Sequence, residues 1–233
     1  MNWKSTIIKD LAWGTKISNR EDKEAIAAKV VQLVKYRDVI GFGSGSTSAL
    51  AIEAIGKRVR EEKLEIIAIP TSHEVEMACV KNDIQTGSFL KYQPDWCFDG
   101  ADEIDPDKNL IKGRGGAMVK EKLLMSAASK TYILADKSKF VSNLGEKFAV
   151  PIEVLPIAVN SLENSLLSLG ASTISLRIGI KKDGPVMTEN GNFILDVNFK
   201  NIGKELEKEI NMLPGVLDNG LFMNFPIEVL TAN

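Results

Sequence analysis

Residues 38–59, DVIGFGSGSTSALAIEAIGKRV, change their period halfway along. The first six form a short apolar run ending in glycine, which reads as a buried strand. The last fourteen, STSALAIEAIGKRV, read as a helix. A strand that enters a helix through glycines is the opening half of an α/β unit.

The pattern repeats on either side. SNRE at 18–21 has capping-box spacing, Ser18 to Glu21, and leads a stripe of Ile26, Val30, Leu33 and Val34. LEIIAIP, DWCFDG and TYILAD are further short apolar strands. Thr71 to Glu74 repeats the capping-box spacing and opens a helix from about Ser72, and GAMVKEKLLMSAAS is another helix. Strands separated by helices predict a mostly parallel, Rossmann-like sheet with helices on both faces.

After about residue 146 the order becomes strand FAVPIEVL, helix NSLENSLLSLG, strand STISLRIG, strand NFILDVNF, helix IGKELEKEINML and strand GVLDNGLFMN. The turn Asn190-Gly191 leads into NFILDVNF. This is βαββαβ, a ferredoxin-like α+β arrangement. The expected division is an α/β catalytic domain at 1–145, a smaller α+β domain at 146–223, and a return at about 224–233 in which PIEVL rejoins the first sheet.

The 233 residues are 44% hydrophobic and 26% charged, an ordinary globular balance. With 29 basic and 31 acidic side chains the net charge is −2, so no basic excess favours a nucleic-acid partner. No apolar run reaches membrane-spanning length. MNWKSTIIKDLAWGTK lacks the apolar core of a signal peptide. Cys79 and Cys97 match no metal spacing and read as buried thiols of a reducing compartment, hence cytoplasmic. The single histidine, His73, reads as a structural or helix-start residue.

The loop GFGSGSTS at 41–48 suits an anion at a helix N-terminus. It lacks the lysine of a Walker loop. It also lacks the third glycine of a dinucleotide fingerprint, where Ser46 stands, and the next strand ends in Pro70, Thr71 and Ser72 rather than an acid. Two readings stay open: a small phosphate ester held by Ser44, Ser46, Thr47 and nearby amides, or a tight turn with a capping hydroxyl.

CFDGADEIDPD at 97–107 holds five carboxylates: Asp99, Asp102, Glu103, Asp105 and Asp107. A calcium loop starting at Asp105 fails, with Leu110 and Gly116 where glycine and glutamate are required. Next comes LIKGRGGAMVKEKLL, a cationic, glycine-rich anion nest at a helix start. On that helix Ala117, Glu121, Leu124 and Ala128 share a face. A carboxylate on an inward stripe suits general-base work, whereas an exposed acid near a helix N-terminus is the plain alternative.

Taken in order, GFGSGSTSA, DGADEID, KGRGGAMVKEK, ADKSKFV, LGEKFAVPIEVLP, GNFILDV and LPGV…GLF resemble the type A ribose-5-phosphate isomerases over nearly the whole length. The resemblance implies interconversion of ribose 5-phosphate and ribulose 5-phosphate in the pentose phosphate pathway, with no metal or organic cofactor. It makes Glu121 the base that moves a proton between C1 and C2. It makes Asp99 and Asp102 binders of substrate hydroxyls that assist ring opening, and Lys112 the stabiliser of an enediolate oxygen. Ser44, Gly45, Ser46, Thr47, Gly100, Ala101, Gly113, Arg114, Gly115 and Lys139 become substrate contacts. Glu103, Asp105 and Asp107 are left as a solvated remainder. The implied assembly is a homodimer or a dimer of dimers (homotetramer).

Two positions depart from the usual pattern. Ser44 replaces threonine and keeps the hydroxyl, and Arg114 interrupts a glycine run, adding a phosphate contact or crowding the pocket. The competing readings are a non-catalytic sugar-phosphate sensor, which has no need of an inward base, and an isomerase of another sugar phosphate.

Overall fold

The computed structural model describes residues 7–8 and 17–232, so most of MNWKSTIIKDLAWGTK lies outside the described residues. In chain order the elements are α1 (Arg20–Leu33), β1 (Val39–Phe42), α2 (Ser46–Glu62), β2 (Ile67–Pro70), α3 (His73–Lys81) and β3 (Trp96–Gly100). Then follow β4 (Glu103–Ile104), β5 (Leu110–Ile111), α4 (Met118–Ala127), β6 (Thr131–Leu134), β7 (Val150–Val154) and α5 (Val159–Ser168). The chain ends with β8 (Ala171–Leu176), β9 (Phe193–Phe199), α6 (Leu206–Asn211), β10 (Val216–Asn219), β11 (Leu221–Phe222) and β12 (Ile227–Leu230).

Two compact units emerge. Of the described residues, the first holds those up to 100 with 124–137 and those from 226 on, the second 101–123 and 138–225. In the first unit a five-stranded sheet of order β12-β6-β3-β1-β2 is parallel throughout and flanked by helices, as the alternating pattern predicts. PIEVL does rejoin it, with Ile227 opposite Thr131. Its apolar runs bury Ile40, Phe42, Ile52, Ile55, Phe98 and Leu134 in one core. From β1 the chain crosses to β2 on one side and then to β3 on the other. That reversal is the switch point at which such sheets open a crevice beyond their strand ends.

The capping-box expectations are corrected. The α1 N-cap is Asn19, in a left-handed conformation with no side-chain cap bond. At α3 the cap is Ser72, whose Oγ accepts from Val75 N, while Thr71 Oγ1 donates to the carbonyl of Phe42.

The second unit holds the βαββαβ run as an antiparallel sheet of order β10-β7-β9-β8, packed with α5 and α6 around Ile152, Val154, Leu162, Leu166, Val197 and Ile210. It also holds a small antiparallel sheet, β11-β5-β4, that the sequence pattern did not show. Strands of two residues are too short for alternation to be read. GVLDNGLFMN is therefore two strands in two sheets, parted at Gly220. There the Gly220 N–H donates to Pro151 O and the Gly220 carbonyl accepts from Lys112 N, and a Cβ would lie 2.2 Å from the Lys112 carbonyl oxygen. These pairings draw residues 101–123 into the second unit.

Glu103 corrects the reading of the acidic run. It is not solvated but 0% exposed. Its carboxylate accepts the backbone N–H groups of Gly145 (2.6 Å), Lys147 (2.5 Å) and Phe148 (2.8 Å). Asp105 accepts from Asn109 N and Nδ2, which folds the tip of the loop, and Asp107 is exposed. Hydrogen bonds to a charged acceptor are the strong kind. Glu103→Gln puts a donor where three N–H groups converge. We expect urea unfolding to show a loss of at least about 2 kcal/mol, and an unchanged midpoint would remove Glu103 as the organiser of that loop.

Candidate active site

The residues singled out by sequence fall into two groups, one in each unit. In the first unit they gather at the C-terminal edge of the parallel sheet, beyond β1 and β3. Gly43 N donates to Phe98 O at 2.8 Å, so the glycine loop continues the strand pairing. Buried Asp99 then turns its Oδ1 back to the loop, accepting from Ser44 N (3.1 Å) and Gly100 N (2.7 Å). This explains Gly43: a Cβ there would lie 2.2 Å from Asp99 Cγ.

Gly45 is the N-cap of α2 at φ +95°, and no side chain caps the helix. The capping-hydroxyl reading of the loop therefore loses its basis. Uncapped amides at the start of a long helix favour an anion. Ser44 and Ser46 are half-buried, Thr47 is buried and Gly45 is exposed.

Sequence reading missed Lys23. It is 6% exposed, and its Nζ donates to Ser46 Oγ at 3.0 Å and to Ser18 Oγ at 3.3 Å. A signal existed, because Lys23 lies three and four residues before Ile26 and Ala27, on the buried stripe of α1. A lysine on an apolar stripe beside a glycine loop places a cation at an anion-favouring helix start.

The second unit holds Ala101, Asp102, Lys112, Gly113, Arg114, Gly115, Glu121 and Lys139. Glu121 is on the inward face of α4 and 3% exposed, so the exposed-acid alternative is set aside. Its Oε2 lies 3.1 Å from the Nζ of Lys112, which is also 3% exposed. Lys112 Nζ stands 5.5 Å from the centroid of the Phe222 ring, and Lys122 Nζ 4.8 Å from the same ring. Lys122 is held by Asp218, Glu207 and the carbonyl of Asn219. Phe222 is a second residue that sequence reading missed, since nothing local marks an aromatic ring as the floor for two ammonium groups.

Asp102 is half-buried, and its Oδ2 accepts from Arg114 N at 3.2 Å. Burial pushes its carboxyl above the ordinary range, against the opposing pull of Lys112, Lys139 and the Arg114 N–H; Glu121 adds to the rise. Lys139 is half-buried, with Nζ 5.6 Å from the centre of the Phe148 ring. Ala101 is buried, whereas Arg114 and Gly115 are exposed and join Asp102 on the wall of a cavity of about 650 Å³. Gly113, at φ +100°, opens the turn beside Lys112, and a Cβ would meet Pro151 and Met118 there.

The comparisons agree with one another. The family model described as ribose 5-phosphate isomerase A (phosphoriboisomerase A) matches residues 67–233. The ribose-5-phosphate isomerase A of Methanocaldococcus jannaschii is 45% identical over 209 residues, covering 88% of this chain and 92% of that protein. That of Thermosynechococcus vestitus is 44% identical over 217 residues, covering 91% and 92%. Among solved structures, ribose 5-phosphate isomerase A from M. jannaschii superposes with a TM-score of 0.87 at 44% identity, covering 92% of this chain and 96% of that one. A D-ribose-5-phosphate isomerase in complex with phospho-erythronic acid superposes with a TM-score of 0.88 at 37% identity, with the same coverage.

Two predictions follow from this geometry. Gly43→Ala forces Asp99 or the loop to move and is expected to cost about 1–3 kcal/mol in denaturant unfolding; a neutral result would contradict the close approach. The raised carboxyl of Asp102 means that the folded chain holds that proton more tightly than the unfolded chain. Its contribution to stability is therefore full below the carboxylate range and lost as pH rises through the raised value. Asp102→Asn should raise Tm relative to the parent chain at neutral pH, with the gap closing toward about pH 3. A gap independent of pH would show that burial of the charge is not the cause.

Proposed function

The chain belongs to the ribose-5-phosphate isomerase A family, and on that premise we propose that it interconverts D-ribose 5-phosphate and D-ribulose 5-phosphate through an enediolate with Glu121 as base. The observation that carries this reading is the buried Lys112–Glu121 pair at 3.1 Å. A carboxylate on an inward helix face beside an ammonium is what a proton shift between adjacent carbons requires.

In this reading Glu121 removes the C2 proton of the open-chain aldose. The electron pair forms the C1–C2 double bond, and negative charge collects on O1. As Glu121 becomes neutral the charge passes to that oxygen, and Lys112, itself 3% exposed, remains beside it. The proton then returns from Glu121 to C1, and the O2 hydroxyl passes its own proton to O1 as the C2 carbonyl forms, which leaves O1 a hydroxyl and Glu121 a carboxylate again. Asp102, with its carboxyl pushed up by burial, suits the proton exchange at oxygen. Asp99 is assigned to substrate hydroxyls and ring opening. Ser44, Gly45, Ser46 and Thr47 are assigned to substrate binding, with the N-terminus of α2 and Lys23 favouring the phosphate. Gly100, Ala101, Gly113, Arg114, Gly115 and Lys139 complete the proposed contacts.

The four proposed catalytic residues fall within 1–145, the stretch proposed as catalytic together with the return at about 224–233. Family membership supports a place in pentose phosphate metabolism. A cytoplasmic homodimer or dimer of dimers completes the proposal.

The test is ribose 5-phosphate in deuterated water with EDTA, followed by NMR. We expect ribulose 5-phosphate with solvent deuterium at the exchanged carbon, and a loss of about 10²–10⁴-fold in kcat for Glu121→Gln. Near-normal turnover by that variant removes Glu121 from the role. Pentose phosphate binding without turnover by the unaltered protein favours the sensor instead.

A further inference from the structure

Arg177 follows the end of β8 and is not among the proposed catalytic or binding residues. Four hydrogen bonds hold its guanidinium. Nε donates to Asp196 Oδ2 at 2.8 Å, and Nη2 donates to Asp196 Oδ1. Nη1 donates to two backbone carbonyls, Gly113 at 3.2 Å and Arg114 at 2.8 Å. Asp196 lies on β9 opposite Ser175, so Arg177 is its diagonal cross-strand neighbour. One edge of the planar fork is locked to the sheet and the other grips the glycine turn.

The gripped turn is short. Gly116 N donates to Gly113 O at 3.0 Å, closing residues 113–116, and the carbonyl of Gly113 accepts from Arg177 as well. The peptide N–H of Arg114 in the same turn donates to Asp102 at 3.2 Å. Asp102, Arg114, Arg177 and Asp196 all line the cavity of about 650 Å³. Asp102 is faced by Lys112, Lys139, Glu121 and the Arg114 N–H. Of these, only the N–H belongs to the turn that Arg177 fixes.

We propose that Arg177, anchored on Asp196, is a positioning residue that holds the Gly113–Gly116 turn so that the Arg114 N–H stays on the Asp102 carboxylate; this rests on the role given to Asp102 above. Lysine cannot replace it, because a point ammonium has no second edge with which to grip the turn while bound to the carboxylate.

The experiment follows Asp102 by NMR of the whole protein labelled with carboxyl-¹³C aspartate, using Asp102→Asn for assignment. It is paired with the pH profile of kcat/KM for ribose 5-phosphate. The proteins are the unaltered chain, Arg177→Lys, Arg177→Met and Asp196→Asn. Arg177→Lys keeps the charge and much of the volume, and it decides the matter if Arg177→Met fails to fold. Loosening the N–H bond removes a pull that lowers the Asp102 pKa. The Asp102 midpoint in Arg177→Lys should therefore rise by about half a pH unit or more. The acid limb of kcat/KM should rise with it, and kcat/KM at the optimum should fall on the order of 10- to 100-fold. A merely structural role would lower Tm and leave both midpoints in place, which would overturn the proposal. An Asp102 midpoint that moves while the activity profile stays still would instead overturn the role of Asp102 in the reaction, and with it the catalytic meaning of the clamp.

Discussion

The burial of Lys112 against Glu121 is the constraint around which the second unit is arranged. A charge at 3% exposure without a partner costs several kcal/mol, and the pairing offsets that cost for both side chains. Keeping them together fixes backbone at three places. Lys112 follows β5 and is tied through its N–H to Gly220, where no side chain fits. Gly113 and Gly116 take positive φ so that the chain can turn directly from Lys112 into α4 and bring Glu121 back over it. Phe222 supplies the face on which both Lys112 and Lys122 rest.

The same economy separates the carboxylates of the acidic run. Asp102 and Glu103 are neighbours, but Asp102 stands at a bend before β4 and Glu103 is the first residue of that strand. Glu103 turns inward and receives three backbone N–H groups, which makes it a structural anion. Asp102 turns to the cavity wall and receives one, while burial holds its carboxyl toward the protonated form. One residue of offset thus gives two adjacent carboxylates different surroundings.

In the first unit the strand order sets the location. β1 and β3 end side by side where the winding reverses, and the glycine loop and Asp99 occupy those ends. Gly43 is required because the loop passes close to Asp99, and Gly45 because its φ is +95°. The uncapped start of α2 and the ammonium of Lys23 then meet at Ser46.

Local pattern was enough to read the parallel sheet, the βαββαβ order, the return of PIEVL and the inward face of Glu121. Each depends on periodicity within a few turns or strands, which neighbouring residues encode by themselves. The burial of Glu103 was not readable, because its partners lie more than forty residues away and are backbone amides of no particular residue type. Nor were β4, β5 and β11, each two residues long and paired with one another. Lys23 and Phe222 had the same status: their chemistry arises from a loop or a pair of ammonium groups that the chain reaches only after folding. Residue order carries which positions bear charge, which faces are apolar and how the elements succeed one another. The tertiary structure alone decided which charges are buried, what satisfies them and which glycines are obligatory, because those outcomes depend on pairings between segments distant in the chain, and no local propensity specifies such pairings.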